Sequence, residues 1–239
     1  QKIHQQGTEM TAFVQIPLIE PHSSWSAPST LPNLKEYKEI AIDLETRDPN
    51  IKTNGPGWAT NDGEVVGVAV AVKDWSGYLP FKHEGGGNFD KSLVFEWLQD
   101  QLNTPSDKIF HNALYDVGWL KREGIKIQGK IQDTMIAAPL IDENRKQYSL
   151  DSLGLDYCNE RKDETLLEEA AINWGIDPKA EMWKLPSKYV GAYAEQDAVL
   201  TLNLWQQFKL MLKDQNLEKI YALESDIVPL LIEMRWRGL

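Results

Sequence analysis

Apolar positions along the chain fall into two rhythms. Between Glu64 and Val72 the run Val-Val-Gly-Val-Ala-Val-Ala-Val is nearly continuous and β-branched, which predicts a strand buried on both faces. A shorter run, Glu39-Ile40-Ala41-Ile42, predicts a strand over about residues 38–43 that ends in carboxylates. Residues 77–81 read as a strand hairpin-paired to the long one, and 108–110 and 130–132 as two short strands. The second rhythm is helical. Leu93, Val94, Trp97, Leu98 and Leu102 recur at helical spacing behind Asp90 as N-cap, predicting a helix to residue 102. Helices are also predicted over 114–123, from an Asp133 cap to 140, and over 149–157, 164–171, 187–213 and 217–236. Strands come first, joined early by loops and later by helices. This predicts an α/β three-layer fold on a mixed sheet. The first three strands form an antiparallel meander, and the last two run parallel to the first.

The intervening stretches refine this picture. Residues 47–63 are rich in Gly, Pro and Asn and form a long loop directly after an acid pair, a place where loops are more often functional than mere spacers. The Gly-rich 83–88 stretch lacks the strand-then-helix spacing of a phosphate loop. Residues 1–33, punctuated by Pro17, Pro21, Pro28 and Pro32, read as a leader packed on the domain surface. The start at Gln1 rather than Met reads as a processed or trimmed product.

Composition narrows the class. In 239 residues, 42% hydrophobic with nine Trp, there is material for a real core in one sizeable domain. Cys158 is the single cysteine, so neither an internal disulfide framework nor a cysteine zinc site is available. His4, His22, His83 and His111 are too scattered for a zinc motif. No apolar run approaches the roughly 20 residues of a membrane span, no signal peptide is visible, and a cytoplasmic location is expected. The net charge of −11 argues against a nucleic-acid partner unless bound cations reverse the local field. Two basic groups, Lys121/Arg122/Lys126/Lys130 and Lys184/Lys188, have a solvated surface as their default reading.

Three stations carry candidate chemistry. In an extended chain, Asp43 and Glu45 point to the same face, and paired carboxylates repel unless a cation lies between them. Oxygen ligands suit magnesium or manganese. The second station is His111-Asn112-Ala113-Leu114-Tyr115-Asp116. Its ordinary reading is an Asn112 N-cap and an acid favoured by the helix dipole. In the third, Tyr193 and Asp197 are helical neighbours at i and i+4, on a stripe with Val190 and Ala194. A salt bridge or a Tyr-to-Asp hydrogen bond would explain them without catalysis. Together, the four acids could converge on one cleft around two ions roughly 3.5–4 Å apart, an arrangement that cleaves phosphodiesters without a side-chain nucleophile.

In order, spacing and context, these stations resemble the motifs of the DEDD 3′–5′ exonucleases. Tyr193, four residues before Asp197 with Ala192 in the alternative His position, places the resemblance in the tyrosine branch. Within that branch the chain is most similar to the proofreading domain of phage-type family A DNA polymerases. The Gly-Pro-Gly at 55–57, His83 to Asn88, Asp133-Thr134-Met135 and Asp177 to Glu181 support this over residues 35–239.

The resemblance implies a ribonuclease H-like three-layer fold with a five-stranded mixed sheet flanked by helices. It implies two divalent cations, Mg2+ or Mn2+. Asp43, Glu45 and Asp197 would hold the ion that activates water, and Asp43 and Asp116 the ion at the leaving oxygen. Tyr193 would orient the water with help from Glu45, and Thr46 and Asn112 would touch the terminal nucleotide. The expected partner is a single-stranded DNA 3′ end; Trp58, Tyr115 and Trp119 are candidates for base stacking, with a place in the core the commoner role for each. A polymerase domain, fused or in trans, is a further expected partner, and the location is the host cytoplasm if the chain is phage-encoded. The implied division is a leader at 1–33, an exonuclease domain at 34–215, and at 216–239 a helix resembling the segment that leads into a polymerase. Two alternatives stay open: an exoribonuclease of the ribonuclease D type and a non-catalytic nucleic-acid-binding module.

Overall fold

A computed structural model describes residues 20–238; the rest of the predicted leader, 1–19, lies outside them. Five strands form one sheet in the order β3-β2-β1-β4-β5. They are β1 (Glu39–Arg47), β2 (Glu64–Val72), β3 (Trp75–Pro80), β4 (Asp107–Phe110) and β5 (Ile131–Asp133). β1, β2 and β3 pair antiparallel, while β4 and β5 run parallel to β1. The topology is the predicted meander followed by helical returns. Between β1 and β2 lie the short helices α1 (Ile51–Asn54) and α2 (Gly57–Thr60). The longer ones are α3 (Lys91–Leu102), α4 (Ala113–Arg122) and α5 (Thr134–Ile141). After α6 (Leu150–Leu153) and a π-turn at Gly154–Cys158 come α7 (Thr165–Trp174), α8 (Gly191–Asp214) and α9 (Glu218–Trp236).

The alternation of β1 decides what faces where. Ile40, Ile42 and Leu44 enter the core shared with α3, α4 and α9. Ala41 turns to the opposite core, under α5 and α8, and by the two-residue period Asp43 and Glu45 turn with it. That side is built from small residues. Ala69 lies opposite Asp43 and Gly67 opposite Glu45, and Ala194 and Ala198 face them from α8, fully buried. Small side chains on both partners let the long helix lie close over the acid pair.

β1 is longer than predicted. It continues through the carboxylates to Arg47, with a register shift between Glu45 and Thr46, so the acids sit within the strand rather than at its end. Pairing with β2 supplies backbone partners that the local sequence does not announce, and such irregularities recur beside active sites. Of the leader, Trp25 packs where any side chain on Gly191 would collide with its ring, and its indole donates to Glu195 at 2.9 Å. Among the described residues, no helix is long and apolar enough to cross a membrane.

Candidate active site

Asp43 and Glu45 rise from β1 towards α8, where Tyr193 and Asp197 occupy one buried stripe. Asp116 reaches the same place from α4 and accepts the Leu44 backbone N–H at 3.1 Å. The four carboxyls are close enough to act on one another. Burial and the charge of Asp197 push Asp43 up to about 7, against the pull of Lys162. Burial, then Asp43 and Asp197, hold Glu45 well above the carboxylate range. Burial and Asp43 do the same to Asp116, and Asp197 is raised by burial against the opposing pull of Lys162. Such mutual elevation is the signature of a site with an excess of negative charge.

Tyr193 is buried beside these acids. Burial and the charges of Asp197 and Glu45 raise its hydroxyl far above an ordinary phenol. A phenol that keeps its proton cannot act as a base. Lys162 adds a cation that the sequence reading did not single out. Its ammonium lies 2.7 Å from Asp197 Oδ2 and 3.2 Å from the Tyr193 hydroxyl. Lys162 and Lys179 lie 4.6 and 5.4 Å from the centre of the Tyr193 ring. The other Asp197 oxygen, Oδ1, is buried without a partner.

The donor set suits a hard divalent cation in its chemistry: oxygen ligands, surplus charge and an orphaned carboxylate oxygen. Among the described residues, however, no three His, Cys, Asp or Glu side chains are grouped so as to hold an ion as they stand. The positive charge against Asp197 is that of the lysine.

The second station is held from a distance. Asn112 does not cap α4 with its side chain. It adopts φ +76°, a left-handed conformation that costs energy for a residue other than glycine. The capping carboxylate is that of Asp133, at the end of β5. It accepts from Asn112 N at 3.0 Å, Ala113 N at 2.7 Å and Met135 N at 2.8 Å. One buried acid thus caps α4 and α5 together and leaves the Asn112 side chain free of capping duty. Tyr221 on α9 adds a bond, its hydroxyl accepting from Asp133 N at 2.8 Å.

Thr46 is tied to the same wall. Tyr115 donates its hydroxyl hydrogen to Asp48 at 3.0 Å, so its 2.7 Å contact with Thr46 Oγ1 has Thr46 as donor and leaves the threonine lone pairs available. On the β3 side, burial pushes His83 down to about 4, so the ring is neutral. Its Nδ1–H then donates to Leu185 O at 3.0 Å, and Nε2 accepts from Tyr78 at 2.7 Å. Gly67 makes room for Tyr78: a Cβ there would come within 2.2 Å of the phenol oxygen.

Residues 26–213 match a family model described as 3′–5′ exonuclease. The chain belongs to this family. It is 40% identical over 235 residues to the DNA-directed DNA polymerase of Pseudomonas phage M6, covering 95% of this chain and 35% of that protein. It is 32% identical over 225 residues to DNA polymerase DpoZ of Vibrio phage phiVC8, covering 86% of this chain and 33% of that protein. The chain thus spans about a third of the length of these relatives. Brucella melitensis NrnC with bound Mg2+ has a similar structure, at TM-score 0.62 and 19% identity over 87% of this chain and 90% of that one. Escherichia coli RNase D aligns at TM-score 0.57 and 14% identity over 85% and 46% of the two chains. At such identities the likeness is one of fold, the ribonuclease H-like α/β architecture.

In this exonuclease-family chain the structure separates the residues that the sequence left between two roles. Trp58 and Trp119 are 2% and 0% exposed, the core position expected of them ahead of base stacking. Trp58 lies against Gly118, where a Cβ would come within 2.2 Å of the indole, and it stacks on Trp236 of α9. Tyr115 is only partly buried and stays available at the wall. The loop after β1 is pinned, with Arg122 donating to Gly57 O and Asp62 O. The basic groups keep their default reading as a solvated surface, with Lys121 paired to Glu233, Lys184 to Glu181 and Lys188 to Glu20 in partly exposed ion pairs.

Proposed function

We propose that this chain is a metal-dependent 3′–5′ exonuclease acting on the 3′ end of single-stranded DNA and releasing nucleoside monophosphates, as the proofreading part of a DNA polymerase. The observation that carries the reading is the meeting of Asp43, Glu45, Asp116 and Asp197, from three separate elements, in one buried cleft beside a protonated Tyr193. Family membership supplies the direction of attack, and the phage polymerases among the relatives favour DNA over RNA.

In this reading Asp43, Glu45 and Asp197 hold one divalent cation, and Asp43 and Asp116 a second, Mg2+ or Mn2+. Bound there, the cations supply an acidified water and offset charge on the phosphate and the leaving oxygen. The chain's own groups do the placing. Tyr193 orients the water through a hydroxyl that keeps its proton, with Glu45 alongside. Thr46 offers lone pairs, and Asn112 an unused amide, to the terminal nucleotide. Residues 34–215 form the catalytic unit, and 216–239 lead towards a polymerase domain, fused or supplied in trans. The protein works in the cytoplasm, that of the host if it is phage-encoded.

The direct test uses a 5′-labelled single strand with Mg2+ and a matched RNA strand. A ladder shortening from the 3′ end, faster on DNA than on RNA and absent with EDTA, is expected. Equal cleavage with EDTA present would overturn the metal mechanism, and faster cleavage of RNA would move the assignment to an exoribonuclease.

A further inference from the structure

Lys162 is the one cation in direct contact with the acid cleft among the described residues, and its surroundings are not those of an ordinary surface bridge. Its side chain and that of Asp197 are each 8% exposed. It engages only one Asp197 oxygen and leaves the other buried without a partner. Its charge draws Asp43, Glu45 and Asp197 down while they push one another up. It therefore neutralises a shared excess rather than a single acid. The backbone that carries it is fixed: Asp163 N donates to Gln196 Oε1 at 2.8 Å, and Gln196 Nε2 donates to Arg161 O at 2.9 Å. The side chain itself is a long flexible stem ending in a compact charge. It also lines a cavity of about 560 Å³, together with Arg161, Glu164 and Lys179. The ammonium thus has room into which it can withdraw without moving the main chain.

We propose that Lys162 is a built-in placeholder for a divalent cation: its ammonium neutralises Asp197 in the metal-free site and withdraws into the adjoining cavity when a cation binds. The inference rests on the reading of Asp43, Glu45 and Asp197 as cation ligands. A lysine that only braced the fold would hold the ligands in place, so its loss would leave cation binding unchanged or weaken it. A placeholder competes with the cation, so its loss strengthens binding.

The test is Mn2+ binding to the full chain without substrate, read by electron paramagnetic resonance of the free ion. Lys162→Met should bind the first Mn2+ about tenfold more tightly than the natural chain, because one unit charge at contact distance no longer opposes it. Equal or weaker binding overturns the proposal. If Asp43→Asn and Asp197→Asn also bind Mn2+ as the natural chain does, the site reading itself has failed. If they lose binding while Lys162→Met gains none, only the placeholder has failed. A second measurement needs no variant. Acetylation of Lys162 in the natural chain, followed by peptide mass spectrometry, should speed up several-fold when Mg2+ is added, as the buried amine is released. A rate that Mg2+ leaves unchanged overturns the proposal even if Lys162→Met does not fold.

Discussion

Replacing Asp43 with alanine removes 3′-end shortening by at least about a thousandfold while the protein stays folded. Asp43 is shared by both proposed cation positions, so its loss removes charge compensation for the water and for the leaving oxygen at once. Losing a single preorganised electrostatic contact of this kind costs about a hundred- to a thousandfold, and here two depend on one residue. The stability effect runs the other way. In the metal-free protein the Asp43 carboxyl is pushed up to about 7 by burial and by Asp197. Above that pH its charged form weakens the fold, and the alanine variant should melt at the same temperature as the natural chain or higher. Asp197→Ala should be equally inactive but less stable, because the Lys162 ammonium then loses its carboxylate in a mostly buried setting. Degradation assays with Mg2+ and thermal melts with EDTA, both at pH 8, check the two halves. An active Asp43→Ala chain would remove that residue from the site.

Asp133→Ala should be the most damaging substitution outside the acid cleft. The carboxylate accepts three backbone N–H groups, from Asn112, Ala113 and Met135, and is itself 3% exposed. Each buried donor left unpaired costs about 1–3 kcal/mol, so the sum is several kcal/mol and a fall in melting temperature of roughly 10 °C. The variant also releases Asn112 from its left-handed conformation. The first turn of α4 then frays, and Asp116 loses its bearing on Leu44 N. Activity well below the melting point should fall by about ten- to a hundredfold. Asp133→Asn, which keeps one acceptor oxygen, should lie between. Melting of Asp133→Ala at the natural temperature would show that another group caps α4.

Much of this architecture is legible in the sequence because local pattern and global fold agree. The β2 run can hardly be anything but a buried strand. Asp90 and Asp133 cap α3 and α5 as their positions suggest. Asp43, Glu45, Asp116 and Asp197 each have an ordinary explanation alone and stand out only together, through the resemblance of their motifs; the alternation of β1 then turns the first two towards α8. What the sequence hides is tertiary. Thr46 and Arg47 lack the apolar character of a strand, yet β2 pairs with both. Asn112 looks like an ordinary cap, but the capping oxygen comes from 21 residues further along. Trp58 reads as either a core aromatic or a stacking platform, and only the flat seat at Gly118 decides for the core. Lys162 has no periodicity or motif to mark it. Only the packing of its segment on α8 brings it to Asp197.

The central claim, that four acids from three elements cage a pair of divalent cations, is tested most directly by the anomalous signal of Mn2+ in crystals of the protein with a short single-stranded DNA. The account predicts two peaks roughly 3.5–4 Å apart, both touching Asp43, with the Lys162 ammonium drawn away from Asp197. Manganese bound elsewhere, with that ammonium still on Asp197, would contradict it.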